Sequence, residues 1–124
     1  MKESMEIIGN GSPSADVFEP NCPSRALLDH VTSRWGVLIL LTLASGTMRW
    51  GEVRRQVRGV SEKMLASTLR TLEADALVER KAYAVVPPRV DYSLSERGKE
   101  VVSLLNPLVD WVISTTAADA KTAS

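Results

Sequence analysis

The chain has 124 residues, enough for one domain with a real core and too few for two. Fifteen Lys and Arg balance 15 Asp and Glu, so no global field draws it to nucleic acid or to a membrane surface. A single cysteine excludes an internal disulfide framework, and no second Cys or His lies at ligand spacing from His30, the one histidine, so no protein zinc site is expected.

Residues 1–20 carry Gly9, Gly11, Pro13 and Pro20 among scattered charges without a sustained period, which predicts a mobile N-terminal arm. The opening is acidic and polar and lacks the apolar core of a secretory signal, so a reducing cytoplasm is the expected home. Order begins at Asn21-Cys22-Pro23, where Pro23 suits the first turn of a helix running to about Thr32, with Ala26, Leu27 and Val31 as its apolar stripe. A second helix spans about Trp35 to Leu43 and ends at Ser45-Gly46. Its apolar run from Val37 is far too short to cross a bilayer, which takes about 20 residues. Thr47-Met48-Arg49 is too brief to stand alone but can pair as the third strand of a small sheet.

The next stretch, Arg49 to Thr71, divides at Gly59. Val53 and Val57 recur at helical spacing before it, and Leu65, Leu69 and Leu72 repeat at i, i+4, i+7 after it. Ser61 stands where a hydroxyl can cap the second run. Two short helices around a glycine-containing turn form the helix-turn-helix pattern. With the leucines inward, the opposite side of the second helix carries Lys63, Ser67, Arg70 and Thr71. Such a surface suits a helix lying in a DNA major groove; the alternative is a merely solvated face. Arg49, Arg54, Arg55, Arg58, Lys63 and Arg70 are opposed in their stretch only by Glu52 and Glu62, a local basic surface on a neutral chain.

Leu77 to Ala84 and Arg89 to Leu94 read as two strands around a loop broken by Pro87-Pro88. Placed directly after a recognition-type helix, they make a wing. Ser95 is the expected cap of the last helix, with Glu96 in its first turn. That helix carries an apolar surface, from Val101 through Leu104, Leu105, Leu108, Val109, Trp111 and Val112 to Ile113, wider than one stripe covering a small domain needs. Pro107 should kink it, and Thr115 to Ser124 should fray. The expected class is α+β, mainly α. It is a winged helix-turn-helix domain over 21–116, with a small antiparallel sheet and a long C-terminal helix, an arm over 1–20 and a flexible tail over 117–124.

Several short motifs follow one another in a specific order and spacing. Cys22-Pro23 opens the first helix, and Arg34-Trp35 precedes Leu38-Ile39-Leu40-Leu41. Arg49-Trp50 and Glu52-Val53-Arg54-Arg55 lead to Gly59-Val60-Ser61-Glu62-Lys63-Met64-Leu65, then to Leu69-Arg70-Thr71-Leu72-Glu73-Ala74-Asp75. The run Val86-Pro87-Pro88-Arg89-Val90-Asp91-Tyr92-Ser93-Leu94-Ser95 and Gly98 complete the set. On these elements the chain resembles the HxlR family of bacterial winged helix-turn-helix transcriptional regulators, relatives of the MarR group, from Cys22 to about Trp111. The resemblance implies a homodimeric cytoplasmic regulator of a roughly palindromic operator, with the terminal helix and the N-terminal region forming the dimer interface. Leu104, Leu105, Leu108, Val109, Trp111 and Val112 are then the expected interface residues. Two positions depart from the family pattern. Gly51 replaces a common asparagine, removing a cap and a phosphate contact, and Ala76 replaces a common glycine between recognition helix and wing.

The expected DNA-contacting set is Arg49, Arg54, Arg55, Ser61, Lys63, Met64, Ser67, Thr68, Arg70, Thr71 and Arg89. Arg70 is the candidate for reading guanine, since its guanidinium can donate twice to one base edge; the alternative leaves it on a phosphate. Arg49, Arg54, Arg55 and Arg58 are expected on phosphates, or in part paired with Glu52 and Glu62. Arg89 and the two prolines are placed at the wing tip, where an arginine can enter a narrow minor groove. Cys22 has two readings. In some members of the family a cysteine here senses oxidants or electrophiles, and at a helix start it would meet a positive helix end; otherwise it packs and never reacts. Trp35, Trp50 and Trp111 are packing residues, or line a pocket for an aromatic effector. No nucleophile–base pair, phosphate-binding glycine loop or carboxylate constellation appears, so neither an enzyme nor a cofactor is expected. Besides double-stranded DNA, a small-molecule or oxidant effector remains open as a partner. Rival readings are a winged-helix module that meets an acidic protein, and a stand-alone thiol sensor with weak DNA affinity.

Overall fold

The computed structural model describes residues 16–123; the expectation of a mobile arm lies mostly outside them, on residues 1–15. The elements run in the order α1 (Pro23–Thr32), α2 (Arg34–Leu43), β1 (Met48–Arg49), α3 (Trp50–Gln56), α4 (Glu62–Ala74), β2 (Val78–Tyr83), β3 (Arg89–Leu94) and α5 (Glu96–Ala123). The strands form one antiparallel sheet in the order β1-β3-β2, with Met48 opposite Tyr92 and Val78 opposite Leu94. Helices dominate, and the two-residue β1 survives only because β3 supplies its ladder, as expected from its length.

Side-chain oxygens define the helix starts. Ser33, which the hydrophobic pattern alone did not single out, accepts the Gly36 amide and begins α2 at Arg34. Ser61 accepts the Met64 amide at 3.0 Å and begins α4. At α3 the cap is Arg49, whose backbone amide donates to Glu52 Oε1 at 2.8 Å. Gly51 therefore sits inside the first turn of α3 rather than at its cap, and an asparagine there would not cap this helix.

The core gathers Ile39 and Leu40 of α2, Val53 of α3, and Leu65, Leu69 and Leu72 of α4, all essentially sealed from solvent. The inward leucine triplet of α4 thus lies where its spacing places it. α1 is the exception. None of its residues is buried; Leu27 and Val31 lie half-buried against the core, while Ala26 and Leu28 face outward, so its stripe is narrower than expected.

The junction from α4 to the wing is tight. Ala76 follows α4 with φ of +62°, a left-handed conformation that favours glycine. Ser95 then ties both ends of the wing together, its hydroxyl donating to the Ala76 carbonyl and accepting from the Gly98 amide, while its own amide donates to Leu77 O. Gly98 is buried where α5 crosses the Leu77 carbonyl so closely that a Cβ could not be accommodated.

α5 continues through Pro107 to Ala123, past the Thr115 at which the sequence reading ends it. By its length, and by a mean hydropathy of 1.3 over an 18-residue window within Glu96–Ala120, it could cross a bilayer. Its apolar residues, however, form two separate stripes. Val102 and Leu105 are buried in the domain core. Leu104, Leu108 and Trp111 recur at i, i+4, i+7 on another face and are mostly exposed, with Val112 and Ile113 beyond the end of the core. Leu105 was expected at a subunit interface; it packs inside its own domain instead.

Candidate nucleic-acid interface

The outer face of α4 follows from its inner one. Burying Leu65, Leu69 and Leu72 leaves Lys63, Ser67 and Arg70 in solvent, with Met64 43 % exposed beside them. Thr71 is half-buried and contributes only an edge. Two hydroxyls are already committed. Ser61 accepts the Met64 amide and still has its proton to offer, whereas Thr68 donates its proton to the Met64 carbonyl at 2.7 Å and has to give up that bond to donate to a phosphate.

The arginines of α3 divide by partner. Arg54 donates to Glu62 Oε2 at 2.8 Å, an exposed pair that ties α3 to the first turn of α4. Glu52 spends one carboxylate oxygen on the Arg49 backbone amide. Arg49 and Arg55 flank a shallow depression with Gly51 and Glu52, and neither arginine is ion-paired among the described residues. Arg58 lies elsewhere, in a groove with Leu38, Leu41 and Gln56.

The wing tip is Val85-Val86-Pro87-Pro88, with Val86 almost fully exposed. Arg89 is the first residue of β3, directly after this tip, and is already engaged. Its Nε and Nη2 both donate to Asp91, at 3.1 and 3.0 Å, and its guanidinium lies 4.5 Å from the Tyr83 ring centroid. Period-two alternation puts Arg89 and Asp91 on one side of the strand, and the register brings Tyr83 opposite Arg89. The hydrogen bonds from Arg89 hold the Asp91 carboxyl below the usual carboxylate range; burial works against this, and Arg49 adds to it. Arg89 is therefore a fastener of the wing. Asp91 takes two of the five N–H donors of Arg89, and the other three remain for DNA.

The other side of β2 carries a residue missing from the expected set. Val78 turns into the core, so Arg80, two residues on, lies on the same side, facing α4. Arg80 is exposed and shares a groove with Trp50, Ala66, Arg70, Glu73 and Tyr92. The strand alternation already contained this placement, since it sets Val78 and Arg80 against Glu79 and Lys81.

Other expected residues fall in separate settings. Cys22 is buried at the start of α1. His30 Nδ1 lies 2.7 Å from Asp75 Oδ2, linking α1 to the C-terminal cap of α4. Trp35 and Trp50 lie half-buried against the core, while Trp111 is 63 % exposed on α5.

A paired helix with a basic outer face, followed by a two-stranded wing, defines a winged helix-turn-helix regulator that binds DNA. The HxlR-like helix-turn-helix family model matches residues 30–120, and the chain belongs to this family of transcriptional regulators, which are not enzymes. An HTH-type transcriptional regulator of Escherichia coli K12, YtfH, is 53 % identical over 97 residues, covering 78 % of this chain and 77 % of its own. The solved structure of a transcriptional regulator ytfH from Salmonella typhimurium superposes with a TM-score of 0.78 at 46 % identity, over 88 % of this chain and 98 % of that one. The redox regulator HypR in its oxidized form superposes at 0.69 with 34 % identity, over 75 % and 96 %.

Proposed function

We propose that this regulator works in the cytoplasm as a homodimer on a roughly palindromic operator, each subunit laying α4 in a major groove. The two α4 helices would then lie about 34–36 Å apart, one turn of the duplex. The observation that carries the reading is the division of α4 between a sealed leucine face and an exposed Lys63, Ser67 and Arg70 face. Arg49, Arg55 and Lys63 supply phosphate contacts that set affinity and orientation, and Arg70 reads a base edge. Support for the dimer comes from the exposed stripe of Leu104, Leu108 and Trp111, which the subunit's own core leaves uncovered.

The test is an anisotropy titration against the DNA upstream of the protein's own gene. Operator affinity should fall steeply with salt, and Arg70→Ala should erode the preference for operator over random DNA by about 1–3 kcal/mol. Binding indifferent to both salt and sequence would instead favour a winged-helix module that meets an acidic protein.

A thiol response at Cys22 draws support from the likeness to HypR, a redox regulator by its own description. Burial opposes it, because an oxidant reaches Cys22 only if the start of α1 opens. In Cys22→Ser, operator release by oxidant should disappear if this thiol is the switch; release that persists unchanged assigns Cys22 to packing.

A further inference from the structure

The groove between α4 and the wing holds a charge arrangement that the helix face alone does not explain. Arg70 approaches it from the outer face of α4, and Arg80 from β2. Trp50 and Tyr92 line the groove, Tyr92 as the cross-strand neighbour of Arg80 and itself buried. Among the described residues neither arginine forms an ion pair, although Glu73 lines the same groove one helical turn after Arg70. Two guanidinium groups against one carboxylate leave a net positive charge in the groove.

We propose that Arg80 is a DNA-contacting residue that, across the groove from the base-reading Arg70, holds one phosphodiester of the strand passing between the recognition helix and the wing. The proposal rests on α4 occupying a major groove. A helix in that position has a sugar–phosphate strand along its flank, and the wing is the element on that flank. A guanidinium suits the task because its planar fork can donate two parallel hydrogen bonds to phosphate oxygens. Arg80, with no ion pair among the described residues, offers the wing an anchor less committed than Arg89, which gives two of its donors to Asp91. Glu73 acts against docking, and its charge is the local cost of approach for any sequence.

The experiment is a salt series of operator and random-DNA titrations on the full chain, comparing wild type with Arg80→Gln, Arg80→Lys and Glu73→Gln. Arg80→Gln should lose affinity roughly tenfold on both DNAs alike, and the magnitude of the log–log salt slope should fall by about 0.9 for the one phosphate lost. Arg80→Lys should keep the wild-type slope and recover part of the affinity, and Glu73→Gln should bind both DNAs more tightly. An Arg80→Gln protein with wild-type affinity and slope overturns the phosphate assignment. So does weakened binding with an unchanged slope and a lowered Tm, which makes Arg80 a structural residue only. Wild type that fails to bind operator at all removes the underlying DNA reading instead, so the two failures are told apart.

Discussion

Replacing both Leu108 and Trp111 with alanine should break the proposed homodimer into monomers without unfolding them. In the isolated subunit Leu108 is 55 % and Trp111 63 % exposed, so neither supports the fold much. Full burial of a large apolar side chain is worth about 1.5–3 kcal/mol. Covering the exposed parts of these two therefore recovers roughly 3 kcal/mol per subunit, and about 6 kcal/mol across a two-fold interface in which each occurs twice. Since about 1.4 kcal/mol is a factor of ten, losing most of this moves a micromolar dimer beyond millimolar. Sedimentation velocity at micromolar concentration reads the change directly, with far-UV circular dichroism as the check on folding.

Leu105→Ala supplies the contrast. It lies on the same helix but is buried in its own domain, so its loss should cost about 2–5 kcal/mol of subunit stability. A double variant that sediments as the wild-type dimer would refute the reasoning, as would a wild type that is already monomeric.

Two further outcomes concern stability. Ala76→Gly should raise Tm, because releasing a left-handed alanine gains about 1–2 kcal/mol and the freer unfolded glycine returns about 0.4–1; a fall in Tm on thermal melting would contradict the assignment of strain to that φ. For the Arg89–Asp91 pair the sign follows from the lowered Asp91 pKa. Its stabilisation is fully present above the ordinary carboxylate pKa of about 4 and is lost as pH falls through the lower folded value. The melting difference between wild type and Arg89→Met should accordingly be constant near neutrality and shrink in acid; a difference independent of pH would mean that the pair adds nothing.

The parts of this molecule that were legible in the sequence are those set by local periodicity. Leu65, Leu69 and Leu72 announce both a helix and its buried side, and Ser61 and Ser95 announce where helices begin, because a hydroxyl bonds an amide only three residues away. The wing could be read from alternation interrupted by two prolines. What stayed hidden depended on tertiary choice. α5 offers apolar residues on more than one side, and nothing local says that Leu105 meets the core while Leu104 and Leu108 do not. His30 and Asp75 lie 45 residues apart, and only the folded chain brings them together. The Arg89–Asp91 pair could have been suspected from their shared side of a strand, yet its two hydrogen bonds depend on side-chain geometry that alternation does not reveal.

The zero net charge misleads for a related reason. The carboxylates nearest the basic stretch are taken up by structure: Glu62 by Arg54, Glu52 by the Arg49 amide, and Asp91 by Arg89. Each such commitment withdraws an acidic group from competition for the remaining cations. Arg49, Arg55, Lys63, Arg70 and Arg80 are left exposed and without ion pairs among the described residues, four on the helix-turn-helix and one on the wing beside it. Summed over the chain, positive and negative charges cancel. Over the surface that would meet a duplex they do not, because these bonds engage three nearby carboxylates and leave Glu73 alone against Arg70 and Arg80 in their groove.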